Sequence, residues 1–249
     1  VADASAFGEP VAPAFYAAGA GGWRDWWLVL HPPYTAWHLS YVVIGACLAP
    51  VVNTTRLLAT LLAFFFAVGV AAHALDELNG RPLRTRLRSS HLVVVAVIGL
   101  AAAVALGAIG VSETGWVLLP FLVVGPLIVV SYNAELFGGL VHNDVGFAAA
   151  WGAFPVLTAY VAQTDTLVLA PVLAGLGAFA LSVAQRRLST PARSLRRSTG
   201  HVEGTITTSN GEMRAIDRAY LLAPLEGALK VLAWSSVLFA TALAVERLT

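Results

Sequence analysis

Charge is scarce in this sequence. Asp, Glu, Lys and Arg make up 12% of the 249 residues, about half of the ~25% usual in soluble domains. So few charges cannot coat a water-facing surface, and a soluble domain is excluded. Lysine is almost missing. Lys230 is the only one, so the positive charge rests on arginine. Cysteine is confined to Cys47, which rules out an intrachain disulfide and a Cys-based zinc site. There is no Walker A loop, Rossmann glycine pattern, nucleophile elbow or HExxH helix, and no nucleic-acid partner is expected.

What is abundant is apolar: 58% of the residues. They gather into seven segments, roughly 36–52, 57–75, 91–111, 116–132, 146–162, 167–184 and 226–245. Each is near the ~17–25 residues a helix needs to cross the hydrocarbon of a bilayer. The backbone must satisfy its own hydrogen bonds there, and unbroken apolar runs are not the alternating strands of a barrel. The expectation is an all-α integral membrane bundle of about seven transmembrane helices, with membrane lipid as its surroundings.

Residues 1–35 read as a tail and an interfacial segment. The first 22 lack the basic region of a signal peptide. Trp23-Arg24-Asp25-Trp26-Trp27, followed by His31-Pro32-Pro33-Tyr34 and Trp37, suits the headgroup layer, where amphipathic rings meet both phases. Residues 36–249 read as one helical domain with a polar loop at about 185–225, in which 213–225 predicts an amphipathic surface helix. Arginine collects in two loops. Arg81, Arg84, Arg86 and Arg88 follow the second span; Arg186, Arg187, Arg193, Arg196 and Arg197 follow the sixth. Positive loops stay inside, so loops two, four and six are expected to be cytoplasmic.

Ionisable residues at membrane depth are costly and need a reason. His73, Asp76 and Glu77 share one helical face by their offsets of three and four. Glu135, His142, Asn143 and Asp144 surround the fourth loop, at the same membrane face. Carboxylates and imidazoles from two elements suggest a metal site with His73, Asp76, Glu77, Glu135, His142 and Asp144 as ligands. Oxygen donors suit Mg²⁺, and the histidines would admit Fe, Mn or Zn. The competing reading makes Asp76 and Glu77 loop residues and His142-Asn143-Asp144 a helix cap. His38 reads as a hydrogen-bonded core residue, a ligand candidate only if the first helix packs beside the second. The arginines offer bidentate phosphate contacts, although positive-inside bias alone also accounts for them.

Asp76-Glu77-Leu78-Asn79-Gly80-Arg81-Pro82-Leu83, together with Tyr132 leading into Gly146-Phe147-Ala148-Ala149-Ala150-Trp151-Gly152, resembles the UbiA superfamily of intramembrane prenyltransferases. The resemblance implies a UbiA-like bundle acting on an isoprenoid or prenyl diphosphate with Mg²⁺. It implies Asp76, Glu77 and Tyr132 as catalytic residues and Arg81 as a diphosphate contact; Arg186, Arg187 and Arg193, from the charge of the sixth loop itself, are further substrate-binding candidates. The sequence departs from that family where a second Asp-rich motif belongs: Gln185-Arg186-Arg187-Leu188-Ser189-Thr190-Pro191-Ala192-Arg193 has no carboxylate. Two alternatives stay open: a His/carboxylate metal-dependent oxidoreductase or hydrolase, and a non-catalytic subunit binding lipid or a partner. Assembly into homo- or hetero-oligomers is also open.

Overall fold

The computed structural model describes residues 12–19 and 21–249. The front of the expected tail, 1–11, lies outside the described residues, as does residue 20. Six helices are long and apolar enough to cross a membrane. In chain order the helices are α1 (Trp23–Leu30), α2 (Pro32–Cys47), α3 (Thr54–Leu78), α4 (Ser89–Thr114), α5 (Trp116–Asn133), α6 (Asp144–Thr164), α7 (Leu169–Arg197) and α8 (Arg218–Leu248). The protein is a multi-pass, all-α membrane bundle.

The segment expected as the first span is α2, which has only 16 residues. At 1.5 Å per residue that is ~24 Å, short of the ~30 Å hydrocarbon thickness. It need not match the lipid, because it lies inside the bundle. Trp37, Tyr41, Val42 and Ala46 are fully buried against α6 and α8. Pro32 and Pro33 start it, where a missing N–H costs nothing. The burial of the others is graded in the same sense. The apolar stretch of α6 is 61% buried, those of α4, α5 and α8 only 22%. α6 is therefore a core helix, and the outer three turn Val97, Leu127 and Phe239 to the lipid.

Small residues let the core helices touch. A Cβ on Gly45 would lie 2.2 Å from the Val156 carbonyl oxygen, and one on Gly152 would lie 2.7 Å from that of Ala178. Backbones approach closely there, the usual device of packing in lipid. Gly146, read from sequence as another such position, serves its own turn: a Cβ there would meet the Val141 carbonyl at 2.0 Å.

The polar loop at 185–225 is largely regular structure. α7 runs on to Arg197, so five of the loop arginines are helical. Of the expected surface helix over 213–225, only 218–225 is helical, as the first turns of α8. Met213–Ile216 (β2) pairs antiparallel with Gly204–Thr207 (β1), Gly204 opposite Ile216. Gly211 at φ 86° turns the hairpin, and the Asp217 side chain caps α8 at the Tyr220 N–H (2.7 Å). The sequence reading missed this because the segment has both turn chemistry and apolar spacing, and the turn chemistry wins.

Candidate functional site

Two of the core helices widen near one end. Phe65–Ala72 in α3 and Ala149–Ala153 in α6 are π-helical, a local defect that favours functional sites. Each contains a carbonyl that meets an imidazole. His73 donates its Nδ1–H to Gly69 O (3.2 Å), and His38 its Nδ1–H to Trp151 O (2.9 Å). His142 does the same to Tyr132 O at 2.9 Å. A carbonyl can only accept, so all three rings carry a proton on Nδ1.

These three histidines line a chamber of about 390 Å³, at the end of the bundle where α3 and α5 finish and α6 begins. His73 and Asp76 come from the first sequence cluster, Glu135 and His142 from the second, so the two clusters converge on one space. Because α2 packs beside α3, His38 joins them. The far wall is α7, whose Arg186, Arg193, Arg196 and Arg197 project from one helical face, while Arg187 on the opposite side is exposed. Arg186 bonds Asp144 (3.0 Å) with its guanidinium 5.3 Å over the Phe147 ring. Arg196 is paired with Glu226. Arg193 and Arg197 have no carboxylate partner among the described residues; Arg193 reaches only Thr190 Oγ1, at 3.3 Å.

Several candidates are committed elsewhere. The Glu77 carboxylate is completely buried and accepts from Leu83 N (2.9 Å), Thr85 N (2.9 Å) and Thr85 Oγ1 (2.8 Å). It organises the arginine loop, where Arg81 and Arg84 stand at positive φ. Arg81 spends its guanidinium on Leu87 O and Ser89 Oγ, both at 2.7 Å, and does not reach the chamber. Asn143 caps α6 through the Gly146 N–H (2.8 Å), so the capping reading holds for that residue. Tyr132 is stacked on His142 with centroids 4.5 Å apart, and its hydroxyl is buried with no partner among the described residues.

Sequence reasoning missed His31, Tyr16 and Asp25. His31 holds the left-handed link between α1 and α2, with its ring 4.5 Å from that of His73. Burial, and then His73 beside it, hold its pKa well below the usual imidazole range. Burial pushes the Tyr16 phenol well up, and its hydroxyl shares a hydrogen bond with His31 Nδ1. His31 Nε2 is buried with no partner among the described residues. Asp25 is buried and accepts from Gly21 N and Arg86 N, both at 2.9 Å, which ties α1 to the arginine loop. The Trp-rich context hid that role.

A second space of about 190 Å³ lies among α3, α4, α5 and α6, with walls of almost only carbon, including Phe64, Phe121 and Phe154. Val68 and Trp151 line both spaces and form the partition between them.

The fold and the chamber define a polytopic membrane protein with a polar, histidine- and arginine-lined site inside its bundle. No protein-family model matches the chain, and no similar curated protein or solved structure is found.

Proposed function

We propose that the protein is an intramembrane enzyme of UbiA-like architecture, with α2 as a seventh, shortened span, that acts on a long-chain isoprenoid or lipid bearing a phosphate or diphosphate head. The observation that carries this reading is the shared partition. A chamber walled by Arg186, Arg193 and three imidazoles meets a carbon-lined groove at Val68 and Trp151. With these two side chains swung aside, one amphiphile would occupy both, head in the chamber and tail in the groove. The arginine-bearing end is cytoplasmic in this reading, because positive segments stay inside.

Prenyl transfer suits such a site. The allylic C–O bond breaks, diphosphate leaves towards Arg186 and Arg193, and an acceptor nucleophile bonds to the freed carbon. Guanidiniums preset around the leaving oxygens stabilise charge where it develops. The acceptor loses a proton in this step, and the His38 imidazole, held by its Nδ1–H on Trp151 O, takes it. The groove keeps water from the cationic carbon. The donors fit a pair of Asp-rich Mg²⁺ motifs poorly. Glu77 is satisfied by three donors and Asp144 is paired with Arg186. That leaves Asp76, with Glu135 at the rim. Neutralising the leaving group then falls to the arginines.

One observation favours a second reading. Three imidazoles with Nδ1 anchored to carbonyls match the way metal-binding histidines are oriented, so a metal-dependent oxidoreductase or hydrolase is the alternative. Among the described residues no group of three or more His, Cys, Asp and Glu side chains is disposed to hold a metal ion.

Purified protein incubated with labelled prenyl diphosphates of several lengths, an extract of membrane lipids and Mg²⁺ tests the first reading. Release of diphosphate with transfer of label to lipid is the expected result. No release at any chain length, with a stoichiometric Fe, Mn or Zn in the purified protein, moves the assignment to the second. Neither release nor metal moves it to a non-catalytic lipid-binding subunit.

A further inference from the structure

We infer that Arg197, with Arg193 one turn before it, forms an outer subsite for a phosphate or diphosphate group, and that residues 12–17 of the chain itself occupy this subsite as a displaceable strap. The inference rests on the anionic-head reading above and adds how that site is opened.

The strap crosses the mouth of the chamber. Pro13, Ala14, Phe15 and Tyr16 all line it. Its contacts with the arginines are made by backbone carbonyls: Arg196 Nη1 bonds Ala12 O at 3.1 Å, and Arg197 Nε bonds Pro13 O at 3.2 Å. Glu226 neutralises Arg196, whereas among the described residues Arg193 and Arg197 form no contact ion pair and share only the field of Asp76 across the chamber. A carbonyl offers a guanidinium only a partial charge. A phosphate offers a full charge and a bidentate fit, and is the stronger partner. The strap is thus a weak occupant of positions that suit a strong one.

Two further observations point to a ligand there. His31 presents a buried Nε2 with no partner beside the strap, and an unpaired buried polar atom is costly enough to call for a partner. The strap's own anchors are few and separable. Ala14 packs with Leu28, Val29 and Leu83, Lys230 lies 5.0 Å over the Phe15 ring, and Tyr16 bonds His31. The chain behind it can pivot, since Gly19, Gly21 and Gly22 have φ of 98°, 95° and 61°, and nothing crowds Gly21 or Gly22. Asp25 holds the pivot through the Gly21 N–H. When an anion reaches Arg197, the two carbonyls leave, Ala14 comes out of its cluster, and the chamber opens to water.

The test uses the full chain in detergent with Cys47→Ser and Ala14→Cys. Ala14 is 8% exposed, so a water-soluble maleimide should label it slowly. Inorganic diphosphate and a short prenyl diphosphate are added in separate arms. Either should speed labelling several-fold, and the arm that does so tells a free anion from a lipid-borne one. In parallel, Lys230→Gln and Tyr16→Phe each loosen the strap and should tighten diphosphate binding by about fivefold, the scale of one net hydrogen bond. If diphosphate binds but labelling and affinity do not change, the strap inference is overturned while the anion site stands. If no variant binds diphosphate in either arm, both are overturned.

Discussion

The adjacent carboxylates of Asp76 and Glu77 leave α3 in different directions: Glu77 is sealed under the loop of residues 79–88, accepting three hydrogen bonds, while Asp76 lines the chamber across from α7. One supports the fold and the other is available for chemistry. Asp76→Asn should therefore cost less stability than loss of the Glu77 carboxylate, while lowering turnover by removing charge from the chamber. Glu77→Gln replaces an acceptor of two backbone N–H groups by an amide that can clash with them, and should cost about 1.5–3 kcal/mol. Unfolding midpoints in detergent, read beside diphosphate release, separate the two. Equal loss of stability in both variants would contradict this division.

The two arginines that open the basic stretch of α7 give a similar contrast. Arg186 lines the chamber and Arg187 is exposed on the other side. Arg193 lines it too, without a carboxylate partner among the described residues. Arg193→Lys keeps the charge and removes the planar fork, and should weaken diphosphate binding about tenfold or more, the scale of one charge-assisted hydrogen bond. Arg187→Lys should bind as the parent does. Calorimetry on the two proteins checks this, and a large effect at Arg187 would place the anion elsewhere.

The membrane class, the helical class and most of the spans are legible in the sequence because they follow from apolar length alone. So is the convergence of His73 and Asp76 with Glu135 and His142, since costly polar groups at one end of a bundle gather in a shared polar space. Helical offsets could not tell Asp76 from Glu77. Both lie on the polar face, and only the path of the following loop decides which is consumed. Nor could they reveal His31 and Tyr16, whose roles depend on a tail folding back over the mouth. The π-helical segments leave no composition signal, so the carbonyls that fix His38 and His73 were invisible as well.

Sidedness follows from charge. With Cys47→Ser as background, Arg84→Cys should be labelled only from the cytoplasm and Glu113→Cys only from outside. Arg84 lies in the basic loop, exposed, and Glu113 ends α4 at the opposite end of the bundle. Impermeant maleimide applied to intact cells and to inverted vesicles reads both. Labelling of both from one side would refute the arrangement.

His31 makes stability depend on pH. Its folded pKa is held well below the ordinary 6.5, so the unfolded chain takes up a proton that the folded one refuses. The contribution is full above about pH 6.5 and falls as pH drops through that value, by up to about 1.4 kcal/mol per pH unit. The difference between parent and His31→Gln should therefore shrink between pH 7.5 and 5. Thermal unfolding of both proteins across that range checks the sign. A difference that grows on acidification would mean His31 is charged in the folded state.

Packing of α6 on α7 can be tested with one methyl group placed at two glycines. At Gly152 a Cβ would stand 2.7 Å from the Ala178 carbonyl oxygen and 2.6 Å from Ser182 Oγ. The hydroxyl can turn away, but the carbonyl belongs to the facing backbone, so the helices must separate. Gly152→Ala should cost about 1–3 kcal/mol, as overpacking does. Gly177, beside Ala178 in α7 but exposed and turned away from α6, has nothing within 4 Å of a built Cβ. Gly177→Ala meets no obstacle and removes backbone freedom from the unfolded chain, so it should stabilise by about 0.5–1 kcal/mol. The two substitutions add the same atom to helices of the same bundle. Opposite signs in their unfolding midpoints follow only if α6 and α7 touch through Gly152, and a shift of the same sign in both would mean that this contact is not what holds them.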